Sequence, residues 1–164
     1  MDSMVEIFIE RADNELMAAE SLKRLSEDGK SKEDFNLPAG TTFYSSVISH
    51  SYYAIFYAAK AVLLTKGIKT YPPEIHKKTY DAFKRTFIDT GVLDVALLNI
   101  YKKMVVRAGE LLEIFRLEKR KRGDFTYTTI PQANRKPAED SLSNARLFVS
   151  NISKAIDSQA IGSL

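Results

Sequence analysis

The stretch Thr42–Lys66, TFYSSVISHSYYAIFYAAKAVLLTK, decides how the rest of the chain is read. Its apolar positions, among them Val47, Ile48, Ile55 and Val62, spread over most of a helical circumference instead of forming one stripe, and such a helix belongs in the middle of a bundle. Ala54, Ala58 and Ala61 recur three or four residues apart and let a neighbouring helix approach closely, while the interleaved tyrosines supply bulk with a polar tip. Gly67 is well placed to end the helix. The most apolar part, Ser51–Thr65, is interrupted by Lys60 and is too short to cross ~30 Å of hydrocarbon, so it reads as a core helix and no membrane span is expected.

Outward from this segment the helical period continues on both sides. From Val5 to Leu25, Val5, Phe8, Ala12, Leu16, Ala19 and Leu22 make an amphipathic helix, and Gly29–Gly40 (GKSKEDFNLPAG) reads as a loop. Pro72 and Pro73 open a helical pattern through Phe87 that Gly91 closes. Asp94 to about Lys121 sustains the period for a length that approaches 40 Å at ~1.5 Å per residue, with Gly109 a candidate bend. The segment from Gly123 through Pro131 to Pro137 reads as irregular, and a last helix runs from Ala138 to about Ile156, starting at Pro137. No strand alternation or internal repeat is present. The expected fold is therefore all-α, an antiparallel up-and-down bundle of four to five helices forming one domain over residues 1–164.

Composition agrees and narrows the chemistry. A chain of 164 residues, 45% hydrophobic and 27% charged, supports one core. Without cysteine, disulfides, thiolate metal sites and cysteine nucleophiles are excluded. The two histidines, His50 and His76, are not spaced to share a helix face, so neither a metal nor any other cofactor is expected. The first twenty residues mix acidic with apolar side chains, unlike a signal peptide, which predicts a cytoplasmic protein. A net charge of +3 neither demands nor forbids a nucleic-acid partner.

The densest charge is Lys119-Arg120-Lys121-Arg122, with Lys102, Lys103, Arg107 and Arg116 upstream. It reads either as a solvated helix end complementing the helix dipole or as a phosphate-binding patch, since guanidinium forks suit phosphate oxygens. Asp124 stands two residues beyond Arg122, close enough to pair with it and hold its orientation; a helix stop with a local ion pair fits equally. His50 and His76 read as hydrogen-bonded structural imidazoles or as ligand contacts, and Tyr52, Tyr53 and Tyr57 as core or as platforms for a base. Glycine-rich phosphate loops are absent.

Taken in order, Ser49–Leu64 (SHSYYAIFYAAKAVLL), His76, Phe83–Gly91, Arg122-Gly123-Asp124-Phe125 and Ala138–Ile152 resemble the HEPN family, the helical domains named for higher eukaryotes and prokaryotic nucleotide-binding proteins, in particular its small stand-alone prokaryotic members. The resemblance implies a bundle of four or five helices, commonly a homodimer, often encoded beside a minimal nucleotidyltransferase. Many members are metal-independent ribonucleases of toxin-antitoxin or defence systems, whose signature is an arginine with a histidine four to six residues beyond it. Imidazole there suits acid-base work on a ribose hydroxyl, and arginine stabilises developing phosphate charge.

This sequence departs from the signature. Neither histidine has an arginine at the required upstream distance, and a four-residue gap from Arg122 leads to Tyr127, whose unperturbed pKa of ~10 suits that work poorly. The reading is a dimeric partner of a nucleotidyltransferase that binds nucleotide or RNA phosphate through Lys119, Arg120, Lys121, Arg122, His50, Tyr53 and His76 with little or no catalysis. The resemblance also makes Tyr127 the nearest acceptor for adenylylation by such a partner. The alternatives are an endoribonuclease using Arg122, Asp124 and Tyr127 with a histidine brought in across a dimer, and a scaffold without a ligand.

Overall fold

The computed structural model describes the backbone of residues 2–120 and 131–162 and the side chains of residues 2–111 and 135–159. In chain order the helices are α1 (Ser3–Glu27), α2 (Gly29–Asp34), α3 (Tyr44–Leu64), α4 (Ile75–Phe83), α5 (Val95–Arg120) and α6 (Pro131–Gly162). No strand occurs among the described residues. The fold is all-α, as expected, with α2 the one helix that the sequence pattern does not anticipate.

In α1 the buried positions Val5, Ala12, Ala19 and Ser26 recur every seven residues and lie against α3, its most extensive partner. Asp2 caps the helix by accepting the Met4 N–H at 3.0 Å. At the other end Ser26 is buried; its hydroxyl donates to the Leu22 carbonyl at 2.7 Å and accepts the Phe43 N–H at 2.7 Å. One side chain thus joins the end of α1 to the start of α3.

The loop expected over Gly29–Gly40 begins with α2 instead. Asp28 ends α1 and caps α2, accepting the Ser31 N–H and hydroxyl, and these bonds hold its carboxyl below the ordinary range. Six residues are too few to be helical alone. The turn is fastened from outside: Lys32 is 8% exposed, and its ammonium donates to the Ala39 carbonyl at 2.7 Å.

Helix α3 sits centrally, against α1 and α6 and more lightly against α4 and α5. Its 21 residues are long and apolar enough to cross a membrane, longer than the Ser51–Thr65 stretch suggests, but the other helices bury most of it. Gly67 ends this element as expected: at φ +69 its N–H bonds the Leu64 carbonyl and the following N–H bonds that of Leu63. Helix α4 starts at Ile75, two residues past the proline pair, and runs on into a π-helical turn, Lys84–Ile88. Gly91, at φ +73, follows.

One expectation about the second half holds and one is corrected. Helix α5 has the expected length, about 39 Å over 26 residues, and is continuous past Gly109. The stretch Pro131–Pro137 is helical, and α6 begins at Pro131 with Pro137 inside it. Either proline satisfies the rule for a first helical position, and the helix starts at the earlier one. The core between α4, α5 and α6 is aromatic: Phe83, Tyr101 and Phe148 are fully buried, with Phe148 5.5 Å from Phe83 and edge-on to Tyr101 at 5.7 Å between centroids.

Candidate functional site

Helical spacing sets His50, Tyr53, Tyr57 and Lys60 along one face of α3, three or four residues apart. On this face Tyr53 is 39% exposed and His50, Tyr57 and Lys60 are half-buried, whereas Tyr52, Phe56 and Ala59 on the neighbouring face are buried. Helix α1 flanks the face with Phe8, Arg11 and Glu15, and the start of α4 contributes His76.

His76 is the best-defined group there. Its ring lies 4.4 Å from Phe56 and 5.9 Å from Tyr53 between centroids, and Nδ1 is 2.9 Å from the Tyr52 hydroxyl. Burial, and then the charge of Lys60, hold His76 below the ordinary histidine range, while burial pushes the Tyr52 phenol up to about 12. With the phenol protonated and the imidazole neutral, the Tyr52 hydroxyl and Nδ1 share one hydrogen bond, whose direction is set by which ring nitrogen carries the proton.

His50 takes a different partner. Its Nδ1 is 2.5 Å from the Glu15 carboxylate on α1. The structure therefore brings Tyr53 and His76 into contact, as a joint ligand site requires, and turns His50 toward an α1 carboxylate.

Two cations that sequence reasoning did not include complete the face. The Lys60 amine lies 4.9 Å from the centroid of Phe8 and 5.7 Å from that of Phe56, and the Arg11 guanidinium 5.5 Å from that of Tyr57. Burial, with Arg11 nearby, lowers the Lys60 pKa. Neither cation forms an ion pair with a carboxylate among the described residues. A signal existed for one: Lys60 is the only charge inside the apolar helix α3. Arg11, on an ordinary solvent-facing helix position, gave none.

The basic run stands differently. Lys119 and Arg120 end α5 but their side chains lie outside the described residues, and Lys121, Arg122, Asp124 and Tyr127 lie outside them altogether. Arg107, counted with that run from sequence, serves the fold: its Nη1 donates to the Pro137 carbonyl and the Ser141 hydroxyl, both at 3.0 Å. Among the described residues, no group of three or more metal-binding side chains converges.

The chain is thus an all-helical bundle whose central helix carries Tyr53, Tyr57 and Lys60, with Arg11 from α1 and His76 from α4 beside them. Residues 5–155 match the HEPN domain model, and the chain belongs to the HEPN family. It is 29% identical over 113 residues to a protein of Methanocaldococcus jannaschii named as a candidate toxin, covering 69% of this chain and 71% of that one. A second Methanocaldococcus jannaschii protein named in the same way is 35% identical over 95 residues, 58% of this chain; the match spans about half, 52%, of that relative's length. A UPF0332 protein of Thermotoga maritima is 30% identical over 112 residues, covering 68% of this chain and 72% of the relative. No solved structure matches the chain significantly.

Proposed function

We propose that this chain is a toxin-like HEPN protein that binds single-stranded RNA or nucleotide, acts in the cytoplasm as a homodimer with a minimal nucleotidyltransferase partner, and cleaves RNA little or not at all. The observation that carries the binding proposal is the placing of Arg11 over Tyr57 and of Lys60 over Phe8 and Phe56, both cations without carboxylate partners among the described residues, on the face that holds the exposed Tyr53. Bases stack on exposed rings irrespective of sequence, and flanking cations neutralise the phosphates between them. Lys119–Arg122 extends the same chemistry if the end of α5 meets the same strand.

The missing arginine-to-histidine spacing favours binding over cleavage. His76, whose Nδ1 is engaged by Tyr52, meets a ligand through Nε2.

The test is a titration of labelled single-stranded RNA at about 50 mM salt. Wild-type protein should bind, and Arg11→Gln with Lys60→Gln should weaken binding and lower the salt slope by about one per phosphate contact removed. Absence of binding by the folded wild type would sink the proposal. Metal-free RNA cleavage abolished by Arg122→Ala would replace it with the ribonuclease reading. The partner proposal is checked by mass spectrometry after co-expression with the neighbouring open reading frame, where Tyr127 should gain an adenylyl group.

A further inference from the structure

Because Gly67 reverses the chain at φ +69, Ile68–Tyr71 returns beside the last turn of α3 and the first turns of α1. A pocket of about 190 Å³ opens between them. Phe8, Leu63, Leu64 and Ile68 give it an apolar lining, and Met4 and Tyr71, 42% and 63% exposed, add to the wall. Three polar side chains reach it: Lys60, Lys69 and Thr70. The Thr70 hydroxyl is already paired with that of Thr79 at 2.7 Å. Neither lysine has a carboxylate partner among the described residues, and Lys60 is held between two aromatic rings. Two ammonium groups beside an unfilled apolar pocket lack both a counter-charge and a filling group, and one molecule could supply both.

We propose that this pocket binds a small amphipathic carboxylate, its hydrocarbon body among Phe8, Leu63, Leu64 and Ile68 and its head between Lys60 and Lys69. The volume equals about six water volumes at ~30 Å³ each, and so suits a chain of about six carbons. A nucleobase fits the lining poorly, because its ring nitrogens and exocyclic groups would be buried against Phe8, Leu63, Leu64 and Ile68, which offer them no side-chain hydrogen bond. Burial, and then the charge of Arg11, lower the Lys60 pKa, and an anionic head beside the amine would raise it.

Calorimetry with the full chain tests this, using butyrate, hexanoate, decanoate and the uncharged hexanol as probes. Affinity should rise about fourfold per methylene up to hexanoate and level off beyond it. Hexanol should bind at least about tenfold more weakly than hexanoate. Lys69→Gln, an exposed change that leaves the fold intact, should weaken hexanoate about fivefold while RNA binding is retained, which separates this site from the α3 face. Leu64→Phe, filling the pocket, should abolish hexanoate binding. No saturable heat with hexanoate, equal affinity for hexanol, or indifference to Lys69→Gln overturns the proposal.

Discussion

Replacing Arg107 by methionine separates two roles for one side chain. Methionine keeps much of the aliphatic stem but removes the guanidinium whose Nη1 donates at 3.0 Å to the Pro137 carbonyl and at 3.0 Å to the Ser141 hydroxyl. Hydrogen bonds from a charged donor contribute about 1.5–3 kcal/mol when buried. The guanidinium is only part-buried, and the Pro137 carbonyl keeps the Ser141 hydroxyl at 2.6 Å, so the expected loss is nearer ~1–2 kcal/mol. In urea the midpoint should fall with an unchanged slope, and the melting temperature should drop by about 2–8 °C for a chain of this size. Ser141→Ala, alone and combined with Arg107→Met, should show a coupling of about 0.5–1 kcal/mol, since the two side chains share one bond. If Arg107→Met left stability within ~0.3 kcal/mol of wild type while weakening RNA binding, Arg107 would belong to the basic surface and the structural assignment would be refuted.

Phe148→Ala should destabilise by about 3–5 kcal/mol in the same assay, because the ring is fully buried against Phe83 and Tyr101 and the cavity left would sit between three helices. Ser26→Ala should cost about 1–2 kcal/mol by leaving the part-buried Phe43 N–H without its acceptor, and Ser26→Thr, which retains the hydroxyl, should cost less. His76 should titrate by NMR with its midpoint below the ordinary ~6.5, because burial and the nearby charge of Lys60 disfavour the protonated ring, and Lys60→Gln should raise that midpoint. The unfolded chain takes up this proton at higher pH than the folded one, so the His76 contribution to stability is complete above ~6.5 and is lost as pH falls toward the folded midpoint. A folded-state midpoint at or above 6.5 contradicts this account.

Most helices were legible from periodicity because side chains three and four residues apart share a face whatever surrounds them, as Val5, Ala12 and Ala19 do in α1. The same local logic placed α3 at the centre, since apolar residues around a whole circumference need partners on several sides. Missing family spacing around His50 and His76 was equally a property of the chain alone. Tertiary structure decided what depends on neighbours distant in sequence. Helix α2 exists because Lys32 reaches the Ala39 carbonyl, α6 extends back to Pro131, and Arg107 turns inward to meet α6. The candidate site divides in the same way: composition marked Tyr53 and His76 as capable of binding, but only packing could pair His76 with Tyr52, tie His50 to Glu15, and set Arg11 over Tyr57 and Lys60 over Phe8. Periodicity records which residues share a face of one helix, whereas a site is made where faces of different helices meet, and that meeting is fixed by three-dimensional packing.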